Sequence, residues 1–457
     1  DLDLNPRFLA DFFIAGKSTP SATPFRSISN LPAGQLLISD PSGRRTMPTW
    51  QLKDGPKLFY SDHQDYVDHF RDLLRRGVRA TMPSDGDVWC DLSGGLDSSS
   101  ITALTAEELG NASRERLSAL SVVFEETTGS DESRWAREVA ATSTLKRHLE
   151  VSGDQHRAFQ DLAEGAAYWD VPSLEIMSYS LHRTLSRSLQ DGGARALLKG
   201  LGAEFVIFGE AIPPFHMADH LRRFELSRLR RELKTWQKAT RKPYASLLFQ
   251  HAIRPLLMPS SITIRPYNGV PDWIDRGFAK RMEIDRRADR AWFGRRFRSV
   301  PDQWQYEQLR RLPTSLHPGC FHKTCAIGMP FLYRPLVELS LRIPWEHKVR
   351  VGTNKILLRE AMAGILPERV RTRTQPVTGT PAIYRAMRDH WPALRARIEK
   401  GRLAELGLAD TGRLLAAANQ ARHGGTDFLA GVLRPIVLDA WLDARLGDRR
   451  PLTAAAA

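Results

Sequence analysis

The sequence predicts an α/β protein, a parallel sheet with helices on both faces, followed by a mainly helical C-terminal part. Three observations carry this. Short β-forming runs alternate with amphipathic helical stretches through roughly the first half of the chain. One of those runs, in "DVWCDLSGGLDSSS" (87–100), passes straight through a glycine turn into a helix start. Beyond residue 215 the helical period takes over almost completely.

Residues 1–58 stand apart. "PRFLADFFIAG" reads as a short helix and is followed by a Ser/Thr/Pro loop. In "ISNLPAGQLLISDPSGRRTMPTWQL", Leu36–Ile38 runs into a turn at Pro41-Ser42-Gly43, which predicts a hairpin. The stretch from Tyr66 to Ala80 is an amphipathic helix. Val88, Trp89, Cys90 and Leu92 form a short buried strand, and Ser93-Gly94-Gly95 the tight turn after it. "ITALTAEEL", from Ile101 to near Gly110, reads as an amphipathic helix. Next come "LSALSVVF" (strand), "SDESRWAREVAATS" (helix, with Ser130 as cap) and "RHLEV" (strand). "SYSLHRTLSRSLQDGG" (helix) and "ARALLKG" (strand) complete the alternation, and no internal repeat is visible.

The glycine turn carries the chemistry. A turn that opens a helix offers unpaired N–H groups and the positive end of the helix dipole, a phosphate-binding combination. The serines add hydroxyl donors, and Asp97 can hold a Mg²⁺ bridging phosphates. A bare Ser-Gly-Gly would read equally well as an ordinary capped turn; the full SGGLDSS after an apolar strand favours phosphate. The Gly-Lys-Ser/Thr ending of a Walker loop is absent.

Composition sets outer bounds. A chain of 457 residues holds two domains, or one large domain with an appendage, and 42% hydrophobic content permits a proper core. No apolar run is long enough to cross a membrane, and no secretory leader is visible, although the first residue is Asp rather than Met. Cys90, Cys320 and Cys325 make no disulfide framework, which suits a reducing cytoplasm. Two basic stretches, 219–242 and 283–300, contribute to the formal charge of +14. Their leucines and aromatics recur at helical spacing, so a core stripe with a solvated basic face competes with a docking surface for an anionic or peptide partner. "HPGCFHKTC" places His317, Cys320, His322 and Cys325 too close together to surround one zinc tetrahedron, so ordinary cleft-lining helix residues are expected there.

In order, SGGLDSS, "SDESRWAREVA", Asp170-Val171-Pro172, "GLGAEF", "PFLYRPLVELSLRIP" and "GTNKILLREAMAGILPERVRTR" resemble the asparagine synthetase superfamily over roughly residues 20–375. The resemblance implies an ATP pyrophosphatase (adenine nucleotide α-hydrolase-like) fold. It implies a synthetase domain over 59–447, with 1–58 the C-terminal tail of a glutaminase-type β domain. The implied chemistry adenylates a carboxylate with ATP and Mg²⁺, releases pyrophosphate and lets an amine displace AMP. Without the rest of that N-terminal domain, the chain as given is expected not to hydrolyse glutamine. Carried over, Ser93, Gly94, Gly95, Asp97, Ser98 and Ser99 bind pyrophosphate, and Asp97 holds metal. Backbone at Leu92, Val122 and Val123 meets adenine, and Gly200 and Gly202 form the second glycine loop.

The chain departs from the superfamily in that loop. Relatives read Gly-acid-Gly-small-Asp-Glu, where this chain has Leu201 for the first acid and Glu204 for the metal-binding Asp. Gln375 stands near the place of a lysine that in relatives stabilises the adenylation transition state, with Arg371 or Arg373 as the substitute. The implied catalytic set is therefore Asp97, Glu204, Arg373 and Gln375, and the implied metal ligands are Asp97 and Glu204. The Arg-rich segment after the second loop resembles that of lasso peptide cyclases, macrolactam synthetases of antibiotic biosynthesis. The expected partners are thus a linear precursor (core) peptide and a leader peptidase or leader-binding protein, with no membrane and no nucleic acid. Asparagine synthetase is the alternative, with β-lactam synthetase-like and RNA-modifying enzymes behind it.

Overall fold

Seven strands are described: β1 (Gln35–Asp40), β2 (Gly43–Pro48), β3 (Asp87–Asp91), β4 (Leu117–Val123), β5 (Arg147–Ser152), β6 (Ala194–Leu198) and β7 (Ala326–Gly328). The computed structural model describes residues 3–14, 21–208, 213–259, 270–284, 296–315, 319–374, 377–425 and 429–447. β1 and β2 form the predicted hairpin, whose turn is held by Asp40 accepting the Ser42 N–H at 2.9 Å. The other five strands make one parallel sheet in the order β5-β4-β3-β6-β7.

That order decides where a site can form. From β3 the chain winds one way through β4 and β5, then returns to the other side of β3 for β6 and β7. The crossovers diverge between β3 and β6, leaving a crevice at their C-terminal ends. Val88, Trp89 and Cys90 are buried on both sheet faces, which explains the unbroken apolar run in β3. β7 escaped the sequence reading because three residues carry no readable alternation.

Two predicted helix starts need correction. The helix after the glycine turn begins at Leu96, inside SGGLDSS, rather than at Ile101, and it is not amphipathic: Ser98 through Thr105 are all buried. Ser100, Thr102 and Thr105 donate their hydroxyls to the carbonyls of Leu96, Ser98 and Ile101, so a hydroxyl-rich helix satisfies itself out of water. Further on, Ser130 does not cap the helix Ser133–Thr142; its hydroxyl donates to Thr378 O, while Asp131 accepts from the Ser133 N–H and hydroxyl.

The main core joins β3 and β4 to the helix His63–Thr81 through Phe70, Leu74 and Val78. A second core forms around the C-terminal helix Leu429–Leu446. Trp441 Nε1 there donates to Trp169 O at 2.9 Å, and the helix Pro6–Phe13 packs in with Phe13 edge-on to Trp273. The basic stretch 219–242 is two helices, His216–Arg222 and Leu226–Thr240, broken where Phe224 takes a left-handed backbone (φ +55°). The second helix buries Leu229 and Leu233 and leaves Arg228, Arg230, Arg231, Lys234 and Lys238 exposed. Of the stretch 283–300, residues 285–295 lie outside the described residues. Among the described residues no helix is long and apolar enough to cross a membrane.

Candidate active site

A cavity of about 500 Å³ opens at the C-terminal ends of β3 and β6, where the strand order reverses. Both glycine loops reach it. In the first, Gly94 takes φ +83°, and a Cβ there would stand 2.7 Å from Ala136 N and 2.8 Å from Glu132 O. Only glycine fits so tight a passage. Ser98 Oγ accepts from the Ser93 N–H at 3.1 Å and lies 2.9 Å from Ser93 Oγ, tying strand end to helix start. Gly95 caps the helix with no side-chain acceptor, so the first-turn N–H groups of Leu96, Asp97 and Ser98, residues of the cavity wall, have no capping side chain. In the second loop a Cβ on Gly200 would lie 2.6 Å from Ser98 N and 2.7 Å from Asp97 C. The second loop therefore lies directly on the backbone of the first.

Four carboxylates and four cations line this cavity: Asp91, Asp97, Glu132 and Glu204 against Lys199, Lys355, Arg359 and Arg373. Lys355 Nζ donates to Asp97 Oδ2 at 2.5 Å. Arg373 pairs with Glu132, reaches Gly94 O at 3.5 Å and lies over the Trp135 ring. Lys199 stands 3.3 Å from Asp91. Glu204 has no ion pair among the described residues. Burial raises the Asp97 carboxyl above its usual range, against the pull of Lys355 and Arg359. Burial also raises Glu204, and the charge of Asp97 raises it further.

This arrangement fits a divalent cation. Asp97 Oδ1 is buried with no hydrogen-bond partner, and two close carboxylates held above their usual range are stabilised when positive charge arrives. Mg²⁺ characteristically takes one or two carboxylates and completes its shell with water and substrate phosphate. No group of three or more His, Cys, Asp or Glu among the described residues could hold a metal on its own.

Of the sequence-predicted site residues, the cavity brings together Ser93, Gly94, Gly95, Asp97, Ser98, Gly200, Glu204 and Arg373. Leu92, Ser99, Val122, Val123 and Gly202 are not on its wall. Leu92 is fully buried, its N–H given to Leu120 O; Ser99 is fully buried too, and Gly202 (φ +98°) packs on the Leu332 side chain. Gln375 lies outside the described residues. Between the two arginines offered as substitutes, Arg373 reaches the cavity while Arg371 forks onto Glu368 and donates to Arg359 O. In the Cys/His run, His317 lies outside the described residues, and burial raises the Cys325 thiol above its usual range.

Sequence reasoning missed Lys355, Arg359, Glu132, Lys199 and Asp91. Lys355 precedes the helix Ile356–Ala361 in a left-handed backbone (φ +52°), which turns its side chain into the cavity. Arg359 donates to Asn354 O (2.8 Å), Asn354 Oδ1 (2.7 Å) and Arg371 O (2.5 Å), clipping together the two strands of chain that carry Lys355 and Arg373. The signal is in the sequence: "NKILLRE" and "SDES" carry Lys355, Arg359 and Glu132, but inside motifs that read as family markers rather than as a charge cluster.

Comparison with known proteins gives the family. The family model described as asparagine synthase matches residues 69–443. Asparagine synthetase [glutamine-hydrolyzing] 3 of Bacillus subtilis is 24% identical over 85% of this chain and 61% of its own length. Amidase chyE of Penicillium rubens is 26% identical over 40% of this chain and 29% of its own length. Amidase chry2 of Gibberella zeae is 27% identical over 40% and 29% respectively. The chain thus spans between under a third and about three fifths of the length of these relatives. With the family model running through both glycine loops, the Lys355 segment and most of the C-terminal helices, the chain belongs to the asparagine synthase family.

Proposed function

We propose that this chain is an ATP- and Mg²⁺-dependent, AMP-forming amide ligase, and that it closes a macrolactam in a linear peptide, as a lasso peptide cyclase does. The observation that carries the ligase reading is the cavity itself, where an uncapped helix start, two glycine loops and the Asp97/Glu204 pair converge at the β3/β6 switch point. The net reaction joins a carboxylate to an amine as ATP becomes AMP and pyrophosphate. Bound ATP and Mg²⁺ supply the leaving group and neutralise its charge. Asp97 and Glu204 would hold the metal. The Gly94-Gly95 turn and the first-turn N–H groups would cradle the phosphates. Lys355 and Arg373 bring fixed positive charge to the same cavity and would stabilise negative charge developing on pyrophosphate.

The peptide half of the reading is supported by the basic face of the helix Leu226–Thr240, which leaves five cations exposed where an acidic segment could dock. A bound peptide also presents its own α-amine at high effective concentration to its own acidic side chain. Similarity to the Bacillus subtilis protein favours the second reading, synthesis of asparagine. The deciding experiment supplies ATP, Mg²⁺ and a leader-free linear peptide with an acidic residue several positions from its free N-terminus. AMP, pyrophosphate and a peptide lighter by one water are expected. Asparagine from free aspartate and ammonia, with no cyclised peptide, would replace the cyclase reading by the second.

A further inference from the structure

Behind the second glycine loop lies a buried charge with no part in the cavity. Lys348 is 1% exposed and has no carboxylate within ion-pair distance among the described residues. Its ammonium donates to Gln305 Oε1 at 3.0 Å and to Ser340 O at 2.8 Å, and lies 5.3 Å from the Phe208 ring centre and 5.0 Å from that of Trp345. Gln305, also fully buried, donates through Nε2 to Ser340 Oγ (2.9 Å), Val206 O (3.2 Å) and Phe205 O (3.4 Å). Phe205, Val206 and Phe208 belong to one short element, the π-helix Glu204–Phe208, which begins at the candidate metal ligand. A π-helical turn is intrinsically poor and persists where its surroundings hold it. Here the hold comes from both ends: carbonyls bound by Gln305, and Phe208 (φ +64°) packed beneath Lys348, Trp304 and Trp345. A fully buried lysine is costly, and burial holds this ammonium down at about 7, so it is poorly explained as a stabilising feature.

We infer that Lys348, acting through Gln305 and Phe208, is a positioning residue that fixes the π-helix and so sets where the Glu204 carboxylate stands in the cavity. The consequence for metal rests on the reading of Glu204 given above; the hold on the π-helix does not. Lys348→Met keeps roughly the length of the side chain and removes the buried ammonium, leaving Gln305 Oε1 and Ser340 O without that donor. Gln305→Leu removes the donor to both carbonyls by a separate route.

The test uses the full chain and hydrogen–deuterium exchange of peptides spanning 204–208, with β3 and β4 as internal references. Both variants should exchange about tenfold faster in the π-helix with the sheet unchanged. Unchanged exchange there, or an equal rise in the sheet, would overturn the inference. If Lys348→Met fails to fold, Gln305→Leu decides. ATP binding measured by calorimetry should weaken several-fold in both variants with Mg²⁺ present and be unaltered in EDTA. Glu204→Ala separates the two claims. If its ATP binding keeps the wild-type Mg²⁺ dependence, the metal role of Glu204 falls, while the exchange data still decide whether Lys348 holds the π-helix.

Discussion

The two glycine loops occupy neighbouring strand ends, yet they are held in opposite ways. The first leads into a regular α-helix, is locked by its own Ser93 and Ser98 hydroxyls, and presents an Asp97 already paired with Lys355. The second leads into a π-helix, rests on the first loop through Gly200, and presents a Glu204 with no ion pair among the described residues. One carboxylate is fixed by local bonds; the other depends on what lies behind it. The asymmetry suits the proposed site, in which one candidate metal ligand stays in place and the other responds to arriving charge. It also ranks the substitutions.

Asp97→Asn should give the largest loss, because it removes the carboxylate proposed to hold the metal and takes from Lys355 its charged partner in the same step. ATP-dependent turnover should drop roughly 10²–10³-fold, with circular dichroism and thermal midpoint close to wild type. Wild-type turnover at equal Mg²⁺ would end the metal assignment for the first loop. Glu204→Ala should lose about 10–100-fold, while Glu204→Asp, nearer to what relatives carry, should keep or raise activity. A harmless alanine would show that the second loop has lost its role and that the two loops do not cooperate.

Contact between the loops can be broken directly. A methyl group at Gly200 meets the backbone of Asp97 and Ser98 rather than a movable side chain. Gly200→Ala should therefore cost about 1–3 kcal/mol of stability and lower activity by displacing both loops. Gly55→Ala, with nothing within 4 Å of the added carbon and no left-handed backbone, is the control and should change neither quantity. Chemical denaturation of the pair, scored beside turnover, tests this; equal stability would mean that the loops yield without cost.

The asymmetry also explains which parts were legible in sequence. The sheet lobe could be read because its strands are short apolar runs punctuated by glycine and by amphipathic helices, and SGGLDSS is a local signature of a local structure. The helix at Leu96 was misplaced because its buried face is hydroxyl, and buried serines bonded to their own helix look polar to any periodicity. Glu204 is reached through the superfamily resemblance of its glycine loop, but its π-helix is not, since Gln305 and Lys348 hold that turn from about a hundred residues or more downstream. Lys355 and Arg373 meet Asp97 and Glu132 over separations of 258 and 241 residues. No spacing rule encodes such pairings. They exist because Arg359 clips the chain at Asn354 and at Arg371, which only the folded backbone reveals.

The smallest expected effect concerns the resting protein. Glu204 holds its proton above the ordinary value of 4.5 because of burial and the neighbouring Asp97 charge. In the window between that value and the raised folded one, the folded chain keeps a proton that the unfolded chain has lost. Stability therefore falls as pH rises through the window, and the loss is complete above it. Glu204→Gln removes an acid whose ionised form the fold disfavours. The variant should melt higher than wild type above the window and lose this advantage as pH drops toward 4.5. Adding ATP and Mg²⁺ should reverse the order at neutral pH, because only the wild type gains a compensating cation on that carboxylate. Thermal midpoints across this pH range, with and without ATP and Mg²⁺, read both signs. A variant that melts lower than wild type at every pH would show that Glu204 is a structural anchor, and that the second loop is as firmly fixed as the first.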